Sequence, residues 1–242
     1  MSSSILFIAA DPRECAGMIS HWEQVRPLEL PVHWACAGRW KGRDVTAIAN
    51  GAGADRAFAA VLIAPRSSAV CNIGFCGALD ETLRIGDIVV ATEVRNGTHS
   101  WPALPPDGPP AATGDGSAQP ATRAGVVRGS HIGIVASIDH IAQTAAEKRN
   151  LRASGASIVE MEAAGAARAS EDLGLPFYCI RAVSDLAHED LINDFNAALR
   201  PDGRFSVIRL VKQLKWGELV RLQKRTALAS KKLGDFIEAT SF

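Results

Sequence analysis

Residues 157–187 read SIVEMEAAGAARASEDLGLPFYCIRAVSDLA. The apolar pair Ile158 and Val159 is typical of the end of a buried strand, and an alanine-rich helix closed by a glycine and a proline follows it. Residues 177–183 predict a second strand that is apolar except for Arg181. Such a βαβ unit brings polar side chains to the strand ends, where ligands bind in open α/β sheets.

Four charged residues stand at the ends of these two strands. Glu160 and Glu162 would begin a helix, where its dipole favours a carboxylate, and we expect only one of the two to face a pocket. Arg181 lies in an apolar strand, and a buried arginine requires a paired anion. Asp185 is a candidate for that anion, and it is equally a candidate acid at a reaction centre.

Two motifs in this stretch resemble a family signature. Residues 159–163 (VEMEA) followed by 181–185 (RAVSD) resemble the nucleoside phosphorylase superfamily, and most closely its methylthioadenosine/S-adenosylhomocysteine nucleosidase branch. The resemblance covers residues 5–187 and implies a single α/β domain with a central mixed, largely parallel sheet flanked by helices. Supporting segments fall in the expected order: a strand with an acidic turn (5–14), a glycine turn (50–53), and a glycine loop with the strand after it (74–90).

Composition limits the function classes. A chain of 242 residues fits one α/β domain, and its 26 basic and 26 acidic residues give no electrostatic footprint for nucleic acid. Five cysteines without a CxxC pair favour a reducing cytoplasm. The first apolar run is only residues 5–10, which predicts neither a signal peptide nor a membrane span. The histidines are scattered, so we expect no metal, and nothing predicts a cofactor.

Buried strands and helices alternate along the chain, which indicates a mixed sheet covered by helices. A hairpin is expected to turn at residues 41–43, and the glycines at 74–77 are expected to form a loop. The predicted strands are 5–10, 32–36, 45–49, 70–73, 88–94 and 132–136, and the predicted helices run to about residue 22 and over 54–64 and 144–153.

Residues 96–129 break this alternation with six prolines and six glycines. A loop this long is usually a lid, a subunit contact or disordered. The large side chains of this segment that we expect to matter are His99 and Trp101. The resemblance implies that this region covers the sugar's 5′ side near a dimer interface, hence a homodimer or higher homo-oligomer. It also places base-recognition contacts at residues 137–141.

The tail predicts a long amphipathic helix from about residue 201, a helical extension (201–242) of the domain formed by residues 1–200. Such a helix usually packs on the domain with its lysines in solvent, whereas a basic face with Trp216 could contact an anionic membrane surface. The tail also resembles the hopanoid-associated branch, which acts on an adenosyl-linked lipid. The residues at helical spacing are Phe205, Ile208, Val211, Leu214, Leu219 and Leu222.

The resemblance implies cleavage of the N-glycosidic bond of a purine nucleoside, with adenine expected as the base. Asp185 would protonate the base, for which it has to hold a proton near neutral pH; burial would favour this and Arg181 would oppose it. Glu162 would bind the ribose hydroxyls and Met161 would pack on the sugar, while Glu14, helped by Arg181, would orient water. The other expected substrate-binding residues are Phe75, Gly77 and Ser184.

Hydrolysis and phosphorolysis make different demands on the glycine loop. Asn72 and Phe75 stand where phosphorylases of this family use an arginine and a serine or threonine for phosphate, which favours water as the nucleophile. Arg39 or Arg56 could supply a phosphate contact from elsewhere, so phosphorolysis stays open.

Two other classes of function share residues with this pattern. Ser184, Asp185 and His188 contain the residue types of a serine hydrolase, but neighbours in sequence do not make a triad and no GxSxG elbow is present. A non-catalytic nucleoside-binding protein on the same fold is the serious alternative. An acid and a water-positioning base on opposite sides of a sugar argue for an enzyme.

Overall fold

The computed structural model describes residues 4–107, 129–191, 194–206 and 216–242. Ten strands form one sheet in these ranges. The strands are β1 (Ile5–Ala9), β2 (Glu23–Pro27), β3 (Trp34–Trp40), β4 (Arg43–Ala49), β5 (Ala69–Ala78), β6 (Ile88–Asn96), β7 (His99–Pro102), β8 (Ser130–Ser137), β9 (Ile158–Glu160) and β10 (Phe177–Asp185).

Helices cover this sheet. They are α1 (Pro12–Ile19), α2 (Ala54–Ile63), α3 (Ala145–Arg152), α4 (Ala163–Asp172), the short α5 (Phe195–Ala198) and α6 (Trp216–Glu238). The side chain of Asp11 caps α1 and that of Thr144 caps α3, which is why these helices begin where polar residues interrupt the apolar pattern.

The strand order is β10-β6-β8-β9-β5-β1-β4-β3-β2, and β10 also pairs with β5. Strands β5, β10, β6, β8 and β9 therefore close into a ring, from which β1 to β4 extend as an open sheet. Strands β4, β1, β5 and β10 run parallel in the middle, and antiparallel pairings flank them. The expected single α/β domain with a mixed central sheet is confirmed.

Two apolar clusters lie on opposite faces of the sheet, as the alternation along β1 shows. Leu6 and Ile8 belong to the cluster under α2 and α4, whereas Phe7 belongs to the cluster under α1 and α6. Phe7 contacts the rings of Trp22, Trp40 and Phe242 at centroid distances of 5.8–6.3 Å. The chain's first strand and its last helix thus share one core.

Several local predictions are wrong for identifiable reasons. The glycines at 74–77 continue strand β5, because backbone pairing with β10 holds them extended. Strand β2 was missed because it is an edge strand whose five residues are all exposed, so it lacks an apolar pattern. Part of the proline-rich segment forms β7 against β6. Residues 108–128 of this segment lie outside the described residues.

The tail differs from the prediction at its start. Phe205 pairs with Leu199 in an isolated bridge, and the described helix begins at Trp216. The helix packs on α1, where the Ser230 hydroxyl donates to the Arg13 carbonyl at 2.7 Å. No helix in the described ranges is long and apolar enough to cross a membrane. Ile208, Val211 and Leu214, and the side chains of Trp216 and Leu219, lie outside what the structure describes.

Candidate active site

A cavity of about 470 Å³ lies where β1, β5, β9 and β10 end. Seven of the eight predicted site residues line it: Glu14, Phe75, Gly77, Met161, Glu162, Ser184 and Asp185. The eighth, Arg181, is completely buried behind the cavity wall. One region of the fold thus collects residues from four separate segments of the chain.

Glu14 occupies the first turn of α1 and completes a capping box with Asp11, so it also caps this helix. One carboxylate oxygen accepts from the backbone N–H groups of Ala10 and Asp11 at 2.8 and 3.0 Å, and the other accepts from Phe75 at 2.8 Å. Burial raises the pKa of Glu14, although these hydrogen bonds and Arg181 oppose the rise. The result is a buried carboxylate fixed in one orientation.

Arg181 finds its anions on the segment between β9 and α4. Its Nη2 donates to Glu160 and to the Asn72 side-chain oxygen, and its Nη1 lies 3.7 Å from the Glu162 carboxylate. The suggested pairing of Arg181 with Asp185 is therefore wrong, because their side chains have different partners. Within the described residues, Nε and Nη1 of Arg181 have no hydrogen-bond partner.

The backbone of β5 makes room for this arginine at Gly74. A Cβ at that position would lie 2.4 Å from Nη1 of Arg181 and 2.8 Å from Oε1 of Glu14. Any side chain there would displace one group or the other. Glu14 and Arg181 therefore approach the same point of the strand.

Glu160 and Glu162 both line the cavity, so the expectation that only one of them faces a pocket is wrong, but the two make different contacts. Glu160 accepts from the backbone N–H groups of Glu162 and Ala163, both at 2.9 Å, and so caps the start of α4. Glu162 accepts from the N–H of Gly53 at 3.2 Å. Burial, and then the charge of Glu160, raise the pKa of Glu162 to about 8, with Arg181 opposing. Near neutral pH, Glu162 can therefore hold a proton.

Asp185 is bonded to a residue that sequence reasoning did not select. The ammonium of Lys148, on α3, donates to Oδ1 of Asp185 at 2.5 Å, and Lys148 is completely buried. The expectation that Arg181 is the cation acting on Asp185 is corrected accordingly. The Ser184 hydroxyl lies 3.0 Å from Oδ2. Gly77 leaves space for the carboxyl, since a Cβ there would lie 2.9 Å from Oδ1.

The residues that stand where a phosphate could be bound make other contacts in the structure. Asn72 is completely buried, donates to the Ile8 carbonyl at 2.9 Å and accepts from Arg181. Phe75 presents a ring to the cavity. Arg39 donates to the Gly42 carbonyl at 2.9 Å and Arg56 to the Pro201 carbonyl at 2.6 Å, and neither is among the described residues that line the cavity.

The far wall of the cavity comes from segments that sequence reasoning left without a site role. Phe195 and Phe205 pack edge to face there with ring centroids 6.2 Å apart, beside Leu222 of α6. Arg225 of α6 holds Glu189 through two bonds of 2.7 and 2.8 Å. The amphipathic pattern of the tail signalled a packed helix, but no local pattern showed that the helix faces a cavity.

His140 and Ile141, from the segment expected to contact a base, also line the cavity. The His140 ring contacts the carboxylates of Asp139 at 2.7 Å and Glu147 at 2.5 Å, and these contacts raise the pKa of His140. No group of three or more metal-ligating side chains occurs in the ranges that the structure describes.

Comparison with known proteins shows the family. Residues 4–204 match the Phosphorylase superfamily. A 5′-methylthioadenosine/S-adenosylhomocysteine nucleosidase from a Shewanella species is 32% identical over 206 residues, which cover 74% of this chain and 85% of the relative. The protein of the same name from Bacillus licheniformis is 28% identical over 201 residues, with the same coverages of 74% and 85%.

A solved structure shows the same fold at lower identity. The S. pneumoniae 5′-methylthioadenosine/S-adenosylhomocysteine nucleosidase, solved with the transition-state inhibitor MT-ImmA, superposes with a TM-score of 0.70 and 17% identity. The superposition covers 98% of this chain and 97% of that one. The family match, the relatives and the shared fold agree, and this chain belongs to the phosphorylase superfamily.

Proposed function

We propose that this protein hydrolyses the N-glycosidic bond of a purine nucleoside. One observation carries the proposal: a single cavity holds Asp185 and Glu14, with Glu162 on its wall as well. A glycosidic bond breaks through an oxocarbenium-like sugar, which calls for an acid at the departing base and a base that activates water on the opposite face.

Asp185 is the acid of this reaction. Its proton passes to a ring nitrogen of the purine as the carbon–nitrogen bond breaks, and the bonding electron pair leaves with the base. The Ser184 hydroxyl beside Oδ2 keeps the carboxyl hydrogen-bonded during this step. Gly77 keeps the carboxyl within the wall of the cavity by leaving room for it.

Glu162 and Met161 bind the sugar. A carboxyl whose pKa is raised to about 8 can donate to one ribose hydroxyl and accept from another near neutral pH. The Met161 side chain, which lines the cavity, supplies apolar contact to the ring. These two residues hold the sugar between the acid and the water.

Glu14 activates the water. Its raised pKa makes it a stronger base than an exposed glutamate, and its three backbone hydrogen bonds fix its orientation. The guanidinium of Arg181 lies behind the cavity wall, next to Glu14 across Gly74, and acts on the water through the Glu14 carboxylate. The water oxygen bonds to the anomeric carbon, and its proton goes to Glu14.

Water is favoured over phosphate at this end of the cavity. A phosphate would lie beside the Glu14 carboxylate and would be repelled. The Phe75 side chain offers a phosphate no hydrogen-bond donor. Asn72 already uses both of its side-chain polar atoms. The names of the sequence relatives, which are nucleosidases, agree with this choice.

The substrate class follows from the relatives and from the apolar wall. Methylthioadenosine and S-adenosylhomocysteine, which name the relatives, carry sulfur-linked 5′ groups. Phe195, Phe205 and Leu222 supply apolar surface for such a group. A cytoplasmic location and assembly into a homo-oligomer are proposed with this activity, in keeping with five buried free cysteines.

The test measures free adenine released from methylthioadenosine, S-adenosylhomocysteine and adenosine, each with and without phosphate. Wild-type protein should release adenine without phosphate, and Asp185→Asn and Glu14→Gln should each lower kcat about a hundredfold to ten-thousandfold. Release that depends on phosphate would establish phosphorolysis instead. Binding of adenine without release from any nucleoside, including one with a long apolar 5′ group, would identify a binding protein.

A further inference from the structure

Lys148 is the buried charge that the proposed reaction leaves unexplained. It lies on α3, is completely buried and is not among the residues that line the cavity. Its ammonium donates to Oδ1 of Asp185 at 2.5 Å and to the carbonyls of Leu186 and Glu189 at 2.8 and 3.3 Å. An ammonium has three donors, and each of them has an acceptor here. Two of the three acceptors are independent of the ionisation of Asp185.

The Ser184 hydroxyl can either donate a hydrogen bond to Oδ2 of Asp185 or accept one from it. The Ser184 hydroxyl lies 3.0 Å from Oδ2 of Asp185 and 3.1 Å from the Cys76 carbonyl. A hydroxyl has one proton, and a carbonyl can only accept. With Asp185 ionised, Ser184 donates to Oδ2. With a proton on Oδ2, Asp185 donates to Ser184 and Ser184 donates to Cys76.

The two oxygens of Asp185 are therefore not equivalent. Oδ1 faces an ammonium that can only donate, so a proton on Oδ1 would oppose an N–H donor. Oδ2 faces a hydroxyl that accepts or donates as required. We propose that Lys148 is a positioning residue that confines the transferable proton of Asp185 to Oδ2.

This inference rests on the proposed function, in which Asp185 protonates the base. The Oδ2–H bond breaks as the N–H bond of the departing purine forms, and the glycosidic electron pair goes to the base. Asp185 is left as a carboxylate facing the Lys148 ammonium. Lys148 thus fixes the carboxyl plane before the transfer and stabilises the charge that the transfer creates.

The test compares Lys148→Met with Arg149→Met, which removes the same charge from an exposed position on the same helix. With methylthioadenosine as substrate, Lys148→Met should lower kcat about a hundredfold through misplacement of the acid and leave KM unchanged. Arg149→Met should behave as wild type. In an Asp185→Asn background, Lys148→Met should lower kcat little further, because no proton remains to be placed.

Equal kcat for Lys148→Met and Arg149→Met, or a full hundredfold fall on top of Asp185→Asn, overturns the inference while the activity stands. A wild-type protein that releases no base overturns the proposed function and this inference together. Should Lys148→Met fail to fold by circular dichroism, Lys148→Gln keeps an N–H donor and loses the charge. It should lower kcat by less than about a hundredfold beside Asp185 and little further in the Asp185→Asn background, and an equal fall in both backgrounds overturns the inference.

Discussion

Two buried charge clusters stand in the wall of one cavity, and they are built differently. Around Arg181, three carboxylates (Glu14, Glu160 and Glu162) share one guanidinium, two of whose nitrogens have no hydrogen-bond partner among the described residues. Around Lys148, one carboxylate meets one ammonium whose donors are all used. The first cluster leaves guanidinium nitrogens without hydrogen bonds and lets Glu162 hold a proton, whereas the second fixes a single oxygen.

The largest expected effect comes from removing the cation of the first cluster. Arg181→Met leaves Glu160 and Glu162 buried without their counter-charge, and the free energy of unfolding should fall by about 3–5 kcal/mol. Urea unfolding measures this. Arg152→Met, which breaks a 2.7 Å pair with Asp80 whose side chains are 42% and 27% exposed, is the control and should cost about 1 kcal/mol or less. Equal losses would remove the distinction between a buried cluster and a surface pair.

A pH-dependent effect of intermediate size belongs to Glu162. Since burial and Glu160 raise its folded pKa to about 8, the folded protein keeps a proton that the unfolded chain releases above its ordinary value of 4.5. The stability that this proton contributes is complete below the ordinary pKa and is lost as pH rises towards 8, by at most about 1.4 kcal/mol per pH unit.

Glu162→Gln removes this titration and should unfold with a shallower dependence on pH than the wild type. Thermal melting between pH 5.5 and 8.5 measures the slope, and Glu81→Gln, at an exposed position, is the control. If the melting temperatures of Glu162→Gln and Glu81→Gln depend on pH with the same slope, Glu162 does not hold the proton that stabilises the folded protein.

The smallest effect is expected at His140, whose side chain is 48% exposed. Contacts with Asp139 and Glu147 raise its pKa, so their stabilisation is present below the ordinary value of 6.5 and is lost as pH rises through the folded value. His140→Gln should lower stability by about 1 kcal/mol or less at pH 5.5, and by less at pH 8.5. Melting temperatures at the two pH values measure this, and an equal loss at both would show that the contribution does not depend on the charge of the ring.

The strands of the sheet could be predicted because they are continuous apolar runs, and β1 and β10 lie close to where the sequence places them. Strand β5 is the instructive exception. Its glycines indicate a loop in isolation, and pairing with β10 overrides that preference. The missed strand β2 has only exposed residues, so burial left no pattern in it.

In the site, too, local sequence patterns predicted some features, whereas others depend on tertiary packing. The residues of the two motifs lie together around one cavity, and their catalytic roles stay predictions until the variants are measured. The partner of Arg181 could not be chosen from sequence, because Asp185 is nearer in the chain whereas Glu160 is nearer in space. Lys148 left no signal, since a lysine on a polar helix is ordinarily exposed and only tertiary packing buries it.

Helix α6 has a consequence for how the protein is made. Its Leu222 and Arg225 line the same cavity as Glu14, more than two hundred positions earlier in the chain. During synthesis, every group assigned to the chemistry leaves the ribosome before α6 does. We expect the part of the cavity wall that α6 supplies to be completed last, and ligand added to stalled chains of increasing length would show the length at which binding begins.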